Sequence, residues 1–144
     1  MSPSSACIDL IKHFEGCRLT AYRCPKGVLT IGYGHTGQGV TVGLAIDQPT
    51  ADLWLADDLA AVGRDVARLV KVPVQQHELD ALCSLTFNIG AGRFAGSTLR
   101  AKLNNGVDRA EVAAEFPRWN KVNSQVIAGL VRRREAERRL FLGE

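Results

Sequence analysis

The sequence predicts an α+β fold, mainly α. A small antiparallel-sheet lobe should sit beside a larger helical lobe, with one long helix joining them. Three observations carry that expectation. Apolar residues recur at helical spacing over residues 5–15 and again through most of residues 47–144. Between those stretches, residues 28–46 are β-branched and glycine-rich. A length of 144 residues, 46% of them hydrophobic, suits one compact unit with a real core. The expected division is a single catalytic domain over 1–144, with the sheet lobe at about 16–46. The N-terminal helix and residues from about 47 to 144 make the helical lobe.

The first helix rests on Cys7, Leu10, Ile11 and Phe14, which share one face, and Gly16 reads as its C-terminal cap. Glu15 therefore falls on its last turn, firmly held and near open space. The stretch "HFEGCRLTAYRCPKGVLTIGYGH" then reads as a catalytic loop. "VLTIGYGH" and "VTVGLAI" read as two antiparallel strands separated by the turn "TGQG", with Gly27 at the entering turn. Asp47 is an N-cap and Pro49 a first-turn residue for a long helix reaching about Val72, where Pro73 ends it. "QQHELDALCSLTFNIGAG" predicts a second apolar-faced helix closing at Gly90 and Gly92. A short helix follows over Ser97–Asn104, another near Arg109–Phe116, a loop around Trp119–Ser124, and a final basic helix.

Composition narrows the partners. No run approaches the roughly 18 apolar residues of a membrane span, and the N-terminus lacks the basic head and apolar stretch of a signal peptide. The chain as given is expected to be soluble, without stable membrane association. The net charge of +3 comes largely from "VRRREAERR", which reads first as the solvated face of a helix. Its functional reading is attraction to an anionic polymer. Without a zinc finger, aromatic RNA-binding motif or zipper, cell wall is favoured over nucleic acid. Four cysteines, Cys7, Cys17, Cys24 and Cys83, show no metal-ligand spacing, so no metal is expected. Cys7 and Cys83 fall in apolar patterns and read as small core residues.

The bare chemistry is that of one acid facing a glycine-rich hairpin. A carboxyl group partly shielded from water can keep its proton near neutral pH, as a general acid must. A threonine such as Thr30 can aim a water. A lone glutamate is more often a solvated surface group, but here the spacing is informative. Glu15, Gly16, Tyr22, Gly27, Thr30, Ile31, Gly32, Gly34 and His35 stand in the register of a Glu-Gly…Tyr…Gly…Thr-Ile-Gly-x-Gly-His motif. In these residues the chain closely resembles the phage-type lysozymes, the endolysins of glycoside hydrolase family 24. "ALCSLTFNIGAGRFAGSTLRAKLNNG" and "IAGLVRRREAERRLFL" extend the resemblance over nearly the whole chain.

That resemblance implies a lysozyme-like fold and hydrolysis of the β-1,4 bond between N-acetylmuramic acid and N-acetylglucosamine in peptidoglycan, by a monomer without a cofactor. It implies Glu15 as general acid and Thr30 as a holder of the attacking water. His35 becomes an organiser paired with Asp58 on the long helix. Asn88 either faces the sugar or caps a helix end. One of Arg132, Arg133 and Arg134 is expected to reach Glu15, with most of the run solvated. Synthesis in the host cytoplasm and action in the periplasm follow from the same resemblance.

Cys24 occupies the place where most family members carry aspartate, and some endolysins of the family carry a Glu-Cys-Thr set at this spacing. A thiolate could polarise the water, favoured by Arg23 or Lys26. Exported enzymes resembling this one are held inactive by cysteine pairing, which the resemblance extends to a regulatory Cys17–Cys24 disulfide with Cys7 as the exchanging thiolate. The alternative is that all three stay reduced and Cys17 is a small loop residue. The rival readings are a catalytically inactive peptidoglycan-binding homologue, a lytic transglycosylase and a chitinase.

Overall fold

The computed structural model describes all residues, Met1 to Glu144. The first helix, α1 (Ser5–Glu15), buries Cys7 and Ile11 and stops at Gly16, whose φ of 67° needs a residue without Cβ. Strands β1 (Arg18–Arg23) and β2 (Leu29–Gly32) then form an antiparallel hairpin. Arg18 pairs with Gly32, Tyr22 with Thr30 and Arg23 with Leu29, with an irregularity between Arg18 and Tyr22.

The sheet lobe is where the sequence expectation needs correction. "VTVGLAI" is not a strand: Gly39 and Gly43, at φ 95° and 83°, turn the chain. The segment meets β1 only at the Thr20–Ala45 bridge, flanked by Ala21 N–H to Leu44 O and Ile46 N–H to Leu19 O, both 2.8 Å. The true partner is "RLTAYR", read above as loop. It is mostly exposed and so lacks the in-out alternation that marks a half-buried strand.

Helix α2 (Gln48–Leu69) begins as expected, with Asp47 accepting the Thr50 N–H at 2.9 Å. It ends at Leu69 rather than near Val72. Pro73 has no N–H to offer Leu69 O four residues back, and Arg100 Nε and Asn104 Nδ2 take that carbonyl at 2.9 and 3.0 Å. The central helix, α3 (Gln76–Ile89), is buried continuously from Glu78 to Thr86, because α1, α2 and later helices cover it on several sides. A capping box between Gln75 and Glu78 opens it, and Gly90 closes it.

Short helices α4 (Ala91–Ala95), α5 (Thr98–Asn104) and α6 (Arg109–Ala113) follow. A 3₁₀ turn at Phe116–Arg118, not a longer α6, comes next. The expected loop at Trp119–Ser124 is part of a second hairpin, β3 (Lys121–Val122) against β4 (Gln125–Val126). Asn123 and Ser124, both at positive φ, make its two-residue turn. The last helix is α7 (Ala128–Phe141). No helix is long and apolar enough to cross a membrane. Twenty buried residues from α1 to α7 form one hydrophobic core.

The basic run of α7 is not chiefly a solvated face. Arg133, Arg134 and Glu137 are buried at 3, 0 and 0% exposure, beside the apolar Phe141. Glu137 Oε2 accepts from Ser84 Oγ at 2.5 Å, Arg134 at 3.2 Å and Arg133 Nε at 3.3 Å. Arg134 Nε lies 2.7 Å from Glu137 Oε1, an ion pair off the line of a good hydrogen bond. Burial pushes Glu137 up and Arg134 down, each held by the other's charge. Removing one member of such a cluster leaves uncompensated buried charge. Glu137→Ala is therefore expected to cost about 3–5 kcal/mol, on the order of 10 °C in Tm, by thermal denaturation followed by circular dichroism.

Candidate active site

Glu15 stands at the C-terminal end of α1, its side chain 19% exposed at the floor of a cleft of about 380 Å³. Arg133 Nη1 donates to Glu15 Oε2 at 2.5 Å, and Arg133 Nη2 donates to Ser84 O at 3.2 Å. Sequence alone could not choose among the three arginines. Arg133 is chosen because its register on α7 points it inward between Glu15 and Glu137. Asn88, Ile127, Leu130 and Arg132 also line this cleft. Past Asn88 and Leu130 lies a second hollow of about 230 Å³, where Lys26 of the β1–β2 turn, Arg93, Trp119 and Lys121 line the wall. Cations thus stand along both hollows.

Asn88 is exposed on the last turn of α3, and its side chain makes no hydrogen bond within the chain. Gly90 supplies the cap of that helix, which leaves the Asn88 amide free toward the cleft. Opposite Glu15, Gly34 has φ 76°, and a Cβ there would lie 2.9 Å from Glu15 Oε1. The missing side chain is what lets the β2 loop close on the carboxyl. Nothing in the spacing of Gly34 alone announced this contact.

Cys24 and Thr30 come together in the β1–β2 hairpin. Cys24 N–H donates to Val28 O at 3.0 Å, and Thr30 Oγ1 donates to the same carbonyl at 2.9 Å. Thr30 is buried and Cys24 half-buried. Hydrogen bonds from the Val28 backbone, then the Lys26 backbone, then the Thr30 hydroxyl hold the Cys24 thiol below its usual range, helped by the Lys26 charge. His35 Nδ1 lies 2.7 Å from Asp58 Oδ2, and its ring packs on Trp54 with centroids 4.7 Å apart. Paired backbone bonds between His35 and Ile31 tie the same residue to β2, so His35 links the sheet lobe to α2.

The remaining cysteines lie apart from the pair of Cys24 and Thr30. All four thiols are free. Cys17 and Cys24 stand at opposite ends of β1. Seven residues of extended chain span roughly 20 Å, whereas a disulfide needs Cα atoms within about 7 Å. In the folded hairpin the two cysteines therefore stand apart. Cys17 Sγ instead lies 3.8 Å from Gln48 Oε1. Cys7 is fully buried and desolvation pushes its thiol far up, so the folded protein offers no exchanging thiolate there. Cys83 is likewise a core residue, pushed up to about 12 by burial.

With this geometry described, comparison with known proteins is decisive. The phage lysozyme family model matches residues 12–137. The chain belongs to the phage lysozyme family. It is 46% identical over 136 residues to an endolysin of Acyrthosiphon pisum secondary endosymbiont phage 1, covering 92% of each chain. It is 45% identical over 143 residues to an endolysin of Bacillus phage PZA, of which it spans 55% and which spans 98% of it. The muramidase domain of SpmX from Asticaccaulis excentricus superposes with a TM-score of 0.88 at 39% identity, covering 96% of both chains. This phage lysozyme is thus a glycoside hydrolase with the lysozyme-like α+β fold, an endolysin acting on peptidoglycan.

Two expectations follow from the cleft. Gly34→Ala should displace Glu15 from Arg133 and force an alanine to positive φ, costing about 1–2 kcal/mol of stability and at least about 10-fold in kcat. Denaturant unfolding and turbidity clearing would measure the two effects. If the Cys24 thiolate assists the reaction, activity should rise with pH through the depressed thiol pKa, at lower pH than for an ordinary thiol. That limb should vanish from the pH–rate profile of Cys24→Asp, whose carboxylate is ionised throughout.

Proposed function

We propose that this endolysin hydrolyses the β-1,4 bond between N-acetylmuramic acid and N-acetylglucosamine, with Glu15 protonating the leaving oxygen. Cys24 and Thr30 hold the attacking water on the opposite face of the sugar, so that the anomeric centre inverts. His35 and Asp58 position the hairpin that carries this pair, and the free amide of Asn88 hydrogen-bonds sugar hydroxyl or N-acetyl groups. The observation that supports the reading is the close approach of the β2 loop to Glu15 at Gly34, which brings the hairpin of Cys24 and Thr30 to the acid. A carboxyl is gripped by Arg133 at the cleft floor, and a thiol–hydroxyl pair sits in the adjoining hairpin. The set Glu15, Cys24, Thr30 supports assigning the chain to the Glu-Cys-Thr subgroup of the family.

The whole chain works as one monomeric unit without a cofactor. It is made in the host cytoplasm and acts in the periplasm. Redox control through Cys17 and Cys24 belongs to this reading only as a locked state in which β1 is undone, because the folded strand keeps the sulfurs apart.

Clearing of outer-membrane-permeabilised Gram-negative cells, with release of reducing ends, tests the assignment. Glu15→Gln is expected to lose at least about 100-fold in rate while still binding peptidoglycan. Wild-type protein that binds the wall, releases no reducing ends and behaves like Glu15→Gln would be a wall-binding homologue instead. Clearing that is equal with and without a thiol reductant, after mild oxidation, would discard the lock and leave the hydrolase assignment standing.

A further inference from the structure

Asp80 is a buried carboxylate that takes no arginine or lysine. It lies on α3 at 2% exposure, outside the cleft. Its partners are Ser4, at the start of α1, and Gln76, one turn earlier on α3. Asp80 Oδ1 accepts the Ser4 N–H at 2.8 Å, and Asp80 Oδ2 accepts the Ser4 hydroxyl. Gln76 Nε2, donating to Asp80 Oδ1 at 2.9 Å, also donates to Ser2 O at 2.8 Å. On the other side, Pro3 presses into Gly63 of α2, where a Cβ would lie 2.8 Å from Pro3 Cδ. Residues 2–4 are thus seated on two helices, and the seat is polar and directional on the α3 side.

Glu15 is at the opposite end of that same helix. Eleven residues of α1 make a rod of about 16 Å, so a tilt of about 4° at its N-terminus moves the far end by about 1 Å. A misplacement of that size at a reacting group can cost on the order of 100-fold in rate. The packing of Cys7 and Ile11 holds the rod against α3, and the polar contacts at its ends add the direction that apolar burial lacks. The Lys12–Asp52 ion pair, 3.1 Å long, is too exposed on both sides to fix the rod. A carboxylate at the positive end of α1 also suits the helix dipole.

We infer that Asp80 is a positioning residue for the reaction: through Ser4 it sets the axial position of α1 and so the placement of Glu15 against Arg133 and Gly34. This rests on Glu15 being the catalytic acid, as proposed above. Asn at position 80 can still accept the Ser4 N–H and can donate to the Ser4 hydroxyl, whereas Ala can do neither.

The test compares Asp80→Ala, Asp80→Asn, Ser4→Ala and a control, Leu103→Ala, which loosens the core in α5 away from α1. Steady-state kinetics on purified peptidoglycan are run well below each Tm, together with the ¹³Cδ NMR signal of the Glu15 carboxyl. Asp80→Ala is expected to lose at least about 10-fold in kcat with KM within about twofold, and to shift the Glu15 signal. Ser4→Ala should move both readouts in the same direction but less. Asp80→Asn should recover kcat to within about threefold, and Leu103→Ala should leave the Glu15 signal in place. An unmoved Glu15 signal in folded Asp80→Ala and Ser4→Ala would overturn the inference, as would an equal shift in Leu103→Ala. If Asp80→Ala does not fold, Ser4→Ala decides alone. Failure of the Glu15 assignment would appear separately, as full activity in Glu15→Gln.

Discussion

Arg133 stands between two carboxylates, Glu15 at the cleft and Glu137 in the core, and the meeting of α1, α3 and α7 depends on it. Arg134 joins the same cluster through Glu137, and both arginines and Glu137 are buried. A buried guanidinium is expensive unless its donors are used. Here its donors reach a carboxylate on its own helix, a carbonyl of α3 and the carboxylate that closes α1. The planar fork can serve all three at once, which a lysine ammonium in that place would not do with the same direction. The cleft residue is thereby attached to the core rather than to a loop.

The sheet lobe is built on a different principle. It has little apolar interior, and its shape comes from backbone hydrogen bonds and glycines at positive φ. Two contacts register it on the helical lobe: the His35–Asp58 bond with Trp54 stacking, and the approach of Gly34 to Glu15. Cys24 and Thr30 sit in the hairpin so registered, with the Val28 carbonyl holding both. A thiol in this position keeps the hydrogen-bonding shell that a carboxylate would use, and that shell is what depresses its pKa. The same strand that presents Cys24 holds it apart from Cys17 in the folded lobe.

The long helices, their caps at Asp47, Gly16 and Gly90, and the α+β division were legible because local chemistry decides them: apolar spacing, an Asp side chain, a glycine at positive φ. The motif from Glu15 to His35 sufficed for the family as well. Strand β1 was not legible, since an exposed strand carries no alternation, and neither was the partner of β2, since pairing is a long-range choice. The two-residue turn at Asn123–Ser124 hid a second hairpin in what read as loop. Arg133, Arg134 and Glu137 looked like solvated charges because residue type predicts exposure only on average. Their three- and four-residue spacing was visible, but the face they share is buried by the packing of α7 on α3. Residue identity and spacing therefore carried the elements and the candidate acid. Only the tertiary structure decided which arginine holds Glu15, which glycine admits it and which carboxylate anchors its helix, because each of those contacts joins residues far apart in the chain.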